Sequence, residues 1–117
     1  MGKAKKSGGE LVQGTLDMLI LTHLARGPAH GFGIAEHVKR ASEEVLRVEE
    51  GSLYPALQRL ESQGLITSSW GTSSNNRRAR YYELTRRGRK QISVEVSNWR
   101  RLVQAIDRVI DIDPVTS

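Results

Sequence analysis

The sequence predicts a mainly α-helical fold with one small β-hairpin and a long closing helix, and three observations carry that reading. Between residues 10 and 64, three helix-length apolar stripes follow one another, joined by short turns marked by Gly or Pro. Next, LITSSW and RYYEL, rich in β-branched and aromatic residues, flank the Gly-, Ser- and Asn-rich stretch GTSSNNRRA, the pattern of two strands and a loop. Finally, an apolar seam spaced 4-3-4-3-4 runs through the C-terminal part, as on a helix that packs against a partner helix.

Residues 1–9, MGKAKKSGG, have nothing to bury and are expected to form a disordered basic arm. From Glu10 to about Ala25, Leu11, Val12, Leu16, Leu19, Ile20 and Leu24 mark the first helix, and Met18 and Leu21 spread its apolar surface beyond one stripe. A helix apolar on more than one side needs a second covering surface, and another subunit is the economical supplier, which places Leu16 and Ile20 at a dimer interface. Gly27-Pro28 ends this helix. Ile34, Val38, Ala41 and Val45 then set the stripe of a second helix that starts near His30, with Gly31 and Gly33 in its first turn.

The third stripe lies in SLYPALQRLESQG. Leu53, Leu57 and Leu60 share one face, which leaves Ser52, Tyr54, Gln58 and Arg59 elsewhere on the surface. Pro55 is tolerable in a first turn, where the N–H groups have no intrahelical partner, and Gly64 suits the left-handed residue that stops a helix. Glu49 and Glu50, just before it, are expected to cap the helix.

The hairpin is expected over residues 65–70 and 80–84, with Tyr82 and Leu84 on one face and Tyr81 and Glu83 on the other. Thr85 can cap a last helix from about Arg86 to about Ile110. Its seam is Ile92, Val96, Trp99, Val103, Ile106 and Ile110, widened by Leu102 and Val109, and is assigned to a dimer interface. The domain layout is therefore a basic arm (1–9), one compact body (10–84), a dimerisation helix (85–112) and a frayed tail (113–117).

Composition narrows the classes of function. No apolar run approaches the roughly 18 residues of a membrane span, and the N-terminus lacks the layout of a signal peptide, so a soluble, cytoplasmic protein is expected. Lys6 occupies the position where a myristoylation motif wants Ser or Thr, which argues against lipidation. Cysteine is absent, and with it thiolate chemistry and Cys-based zinc sites. His23, His30 and His37 recur every seven residues, but the Gly27-Pro28 turn separates the first two and no nearby carboxylates complete a ligand pattern, so neither metal nor cofactor is expected. No phosphate-cradling loop, nucleophile elbow or paired acid/base motif points to an enzyme.

The net charge of +5 is unevenly spread: residues 65–90 alone carry +6 and residues 10–64 carry −3. Such concentration is the footprint of a polyanion-binding surface. Arg86, Arg87, Arg89 and Lys90 crowd the positive end of a helix dipole, an arrangement that an external polyanion would accommodate.

Three helices, a basic hairpin and a long helix form the order of a winged helix-turn-helix domain with a C-terminal dimerisation helix. GPAHGFGIAEHV, EEGSLYPALQRLESQGLI and RRARYYELTRRGRK, in that order and spacing, resemble the signatures of the PadR family of bacterial transcriptional regulators over roughly residues 11–110. The resemblance, closest to the compact branch with a single C-terminal helix, implies a homodimeric repressor, in several members released from DNA by a small molecule. On that reading Ser52, Tyr54, Gln58 and Arg59 meet base edges or flanking phosphates in the major groove, while Arg77, Arg78 and Arg80 on the wing meet phosphates or an adjacent minor groove. Two-fold pairing would set two reading heads about 34 Å, or a multiple, apart on an inverted-repeat operator. Trp99 serves dimer packing or, as the resemblance implies, a flat apolar effector pocket at the two-fold axis. The alternative is a winged-helix adaptor that binds protein through the same surfaces and has no operator of its own.

Overall fold

Leu53, Leu57 and Leu60, the stripe on the third helix, are fully buried, and the other elements are arranged to cover them. The computed structural model describes residues 13–112. They form α1 (Gln13–Leu24), β1 (Ala29–His30), α2 (Gly31–Ala41), α3 (Glu50–Ser62), β2 (Ile66–Thr72), β3 (Arg78–Leu84) and α4 (Arg86–Ile112). This is the expected winged-helix architecture with a long closing helix. The expected basic arm, the first residues of the first helix and the C-terminal tail lie outside the described residues.

α1 is the hub, packed on α2, α3, α4 and β3. Its all-round apolar character is explained by that position, and it corrects one expectation: Leu16 and Ile20 are 2% and 0% exposed within the chain's own core and are not interface residues. The covering surface expected from a second subunit is supplied by α2, α3, α4 and β3 of the same chain. Each such buried Leu or Ile contributes about 1.5–3 kcal/mol.

α2 starts where expected. His30 sits at its N-cap, and its Nδ1 accepts a hydrogen bond from the Gly33 N–H at 3.0 Å. Its end comes early, because Glu43 and Glu44 adopt φ values of 55° and 66°, which no helix can continue. The Glu44 N–H turns back to the Lys39 carbonyl at 2.7 Å. Ala41 and Val45, expected on the buried stripe, are consequently exposed.

α3 begins earlier than the sequence suggests, since the Glu49 carbonyl accepts from the N–H groups of Ser52 and Leu53 at 3.0 and 2.9 Å. Glu49 occupies the N-cap position, but its side chain makes no capping bond, so the expected carboxylate cap is absent there. Pro55 falls in the second turn and cannot donate to the Gly51 carbonyl four residues back. At the other end Gly64, with φ of 77°, lets Leu65 and Gly64 donate to the carbonyls of Leu60 and Glu61, both at 3.0 Å, in a Schellman stop.

The hairpin is part of a three-stranded antiparallel sheet in the order β1-β3-β2. β1 pairs Ala29 with Tyr82 and His30 with Tyr81. In the hairpin Ile66 faces Leu84, Ser68 faces Tyr82, Trp70 faces Arg80 and Thr72 faces Arg78. Tyr82 and Leu84 are buried against the helices, while Tyr81 and Glu83 lie on the other face. Both strands run further toward the tip than the β-branched pattern indicated, through Thr72 and from Arg78.

α4 is capped by Thr85, whose Oγ1 accepts from the Gly88 N–H at 3.0 Å and donates to the Gly64 carbonyl at 2.7 Å. A Cβ at Gly88 would meet the Leu65 carbonyl oxygen, so a glycine there lets α4 start hard against the end of α3. Ile92, expected on the partner seam, packs instead on the chain's own core. Beyond it Val96 and Val103 are half-buried, and Trp99, Leu102, Ile106, Val109 and Ile110 are exposed.

Candidate nucleic-acid interface

The polar residues of α3 divide into two sets. Ser52, Tyr54 and Gln58 stay accessible, Ser52 half-buried and the other two exposed. Tyr54 leans over Gly31 at the start of α2, where an added Cβ would lie 2.6 Å from its Oη. Arg59 does not join them. Its Nη2 donates to Asp17 Oδ1 of α1 at 2.5 Å, and its Nε is buried without a partner, so it clamps α3 to α1 and is withdrawn from the expected reading set. Burial pushes the Asp17 carboxyl up from its ordinary value, and the guanidinium against it offsets part of that.

The wing places Arg77, Arg78 and Arg80 exposed on one hairpin. Arg78 and Arg80 converge on Trp70, with their Cζ atoms 4.8 and 5.5 Å from the ring centroid. Arg80 Nε also donates to Ser68 Oγ at 3.0 Å, and Ser68 Oγ donates to Glu61 Oε2 of α3 at 2.8 Å. Between the wing, the start of α2 and α3 runs an open groove of about 870 Å³, edged by Phe32, Tyr54, Trp70, Arg77, Arg78 and Arg80. The structure thus brings the wing arginines and Tyr54 to one groove. Arg59, held by Asp17 of α1, is not among the residues that line it, and Trp99 belongs to a separate surface on α4.

Trp70 and Phe32 were missed in the sequence reading. Trp70 carried a usable signal: it stands four residues after Ile66, so strand parity places it on the face of the buried Ile66 and opposite a wing arginine. Phe32, 67% exposed, had none, since a single aromatic in a first turn is usually core. Arg86, Arg89 and Lys90 are exposed at the start of α4. Arg87 has a local reason for its place: its Nη1 lies 3.5 Å from where a Cβ on Gly64 would be, beside the negative end of the α3 dipole.

Of the three histidines, His30 caps α2, while His23 and His37 meet with ring centroids 4.4 Å apart. Arg26 Nη1 lies 3.1 Å from His37 Nε2. Burial lowers the His23 pKa from 6.5, and the neighbouring His37 and Arg26 push it the same way. No three His, Cys, Asp or Glu among the described residues group as metal ligands. No described helix is long and apolar enough to cross a membrane.

The profile of the Transcriptional regulator PadR-like family matches residues 20–94. The chain is 30% identical over 101 residues to the transcriptional regulator Rv3488 of Mycobacterium tuberculosis, covering 86% of this chain and 87% of that one. It resembles the crystal structure of a PadR family transcription regulator from Clostridium difficile, with 32% identity, a TM-score of 0.69, and 81% and 97% of the two chains covered. A transcriptional regulator from Clostridium thermocellum superposes with a TM-score of 0.75 at 29% identity, over 82% of this chain and 93% of that one.

Proposed function

The chain belongs to the PadR-like family, whose members are transcriptional regulators and not enzymes, and on that premise we propose that it is a homodimeric repressor binding an inverted-repeat operator. The observation that carries this reading is the groove lined by both Tyr54 of α3 and Arg77, Arg78 and Arg80 of the wing. Ser52, Tyr54 and Gln58 read base edges in the major groove, and the three wing arginines contact phosphates or the adjacent minor groove. Pairing runs through the uncovered length of α4, by Val96, Trp99, Val103, Ile106 and Ile110, and the apolar surface exposed there by Trp99, Ile106 and Ile110 is unusual for a monomer. Trp99, 40% exposed on that seam, is the residue against which a small apolar or aromatic effector would stack, and the protein acts in the bacterial cytoplasm at the nucleoid.

Footprinting on the DNA upstream of its own gene tests this. A symmetric protected repeat is expected, lost on charge reversal at Arg77, Arg78 and Arg80. No protection at low salt would defeat the reading, and binding to another protein that survives the charge reversal would favour an adaptor.

A further inference from the structure

We propose that Trp70 is a positioning residue of the DNA-binding face, holding Arg78 and Arg80 as a fixed cationic pair that is tied through Ser68 to Glu61 of the reading helix. The proposal rests on the DNA-binding reading of the groove and goes beyond it by assigning a residue that makes the wing effective.

Packing does not account for Trp70, which is 56% exposed and outside the core cluster. Its surroundings do. Arg80 lies directly across the β2–β3 ladder from it, and Arg78 lies diagonally, two residues nearer the tip. Both guanidinium carbons fall within the roughly 6 Å at which a cation is attracted to an aromatic face. Ile66, Ser68, Trp70 and Thr72 share one face of β2, so the arginine pair continues the face that Ile66, Tyr82 and Leu84 bury against the helices. Its orientation is therefore inherited from the core.

The second tether is polar. Ser68 Oγ accepts from Arg80 Nε and donates to Glu61 Oε2, one hydroxyl linking a wing arginine to the last turn of α3. Glu61 near a phosphate would by itself be unfavourable; engaged through Ser68, it fixes the Nε edge of Arg80. The terminal amino groups of Arg80 then remain without a protein partner among the described residues, available to a phosphate oxygen. Long arginine side chains lose rotamer freedom on binding, and a pair held in place beforehand loses less.

The test is operator binding by the full-length chain carrying Trp70→Leu, made both in the wild type and in an Arg78→Ala/Arg80→Ala background. In the wild type, Trp70→Leu should weaken binding by roughly tenfold, as expected when two arginine side chains must be ordered on binding instead of beforehand. Trp70→Phe should recover most of the loss, and in the double-alanine background Trp70→Leu should add nothing. In the free protein, the Trp70 indole N–H resonance should shift when Arg78 and Arg80 become alanine. Equal losses in both backgrounds would mean that the ring touches DNA itself and would overturn the positioning role. So would unchanged binding by Trp70→Leu, or an indole resonance indifferent to the arginines. A wild-type chain that binds no operator would remove the DNA-binding reading and this role together, whereas wild-type binding indifferent to Trp70 removes this role alone.

Discussion

Arg59 of the reading helix is bonded to Asp17 of α1, Nη2 to Oδ1 at 2.5 Å, with both side chains largely withdrawn from solvent. The bond fixes how α3 sits on the hub helix and turns a charge that looks like a base reader into a structural clamp. Removing one partner leaves the other half-buried and unpaired, so Arg59→Ala or Asp17→Asn should cost about 1–3 kcal/mol. The losses should not add in the double variant. Urea unfolding at fixed protein concentration measures both, and the base preference of each variant should stay that of the wild type.

Two glycines should separate recognition from folding. At Gly31 an added Cβ meets the end of the half-free Tyr54 ring, which can swing aside. Gly31→Ala should therefore change stability by no more than about 1 kcal/mol while weakening operator binding through a displaced Tyr54. At Gly88 the Cβ meets the Leu65 backbone oxygen, which cannot yield without moving the end of α3 or the start of α4. Gly88→Ala should cost about 1–3 kcal/mol or more. Thermal melts and a gel-shift titration on both variants read the contrast.

Stability should fall on mild acidification. The folded His23 pKa lies below its ordinary 6.5, because burial and then His37 and Arg26 disfavour the imidazolium. Between the two values the unfolded chain binds more protons, so the contribution is complete above 6.5, is lost as pH falls through the window and is gone below the folded value. A melting temperature that drops between neutral pH and pH near 5.5, with a shallower drop in His23→Phe, is the expected result.

Trp99→Ala should weaken self-association, since the indole is the largest apolar side chain exposed on the uncovered part of α4. Sedimentation equilibrium should show dissociation at concentrations where the wild type stays paired, and half-site base preference should be unaltered.

Much of the fold was legible in the sequence because it rests on local chemistry. The Leu53, Leu57 and Leu60 stripe, the Gly64 stop, the Thr85 cap and the Tyr82/Leu84 face are each written within a few neighbouring residues, and each stands as read. What escaped depends on distant partners or on backbone geometry that composition does not encode. Two residues of β1 give no periodicity, and two consecutive left-handed glutamates broke a stripe that spacing extended to Val45. α1 announced that it was apolar on more than one side, but not that elements of the same chain would bury Leu16 and Ile20. In the candidate site, the arginine-rich wing was visible as charge. The pairing of Arg59 with a carboxylate 42 positions away was not, and neither was the convergence of Arg78 and Arg80 on Trp70.

On the proposed function, the groove between α3 and the wing binds duplex DNA as a two-fold pair. Selection from a random duplex pool by the wild-type chain tests it most directly. An inverted repeat with half-sites about 34 Å or a multiple apart should emerge, and none should emerge with Arg77, Arg78 and Arg80 reversed to glutamate. No enrichment by the wild type, or the same repeat recovered by the charge-reversed chain, would contradict it.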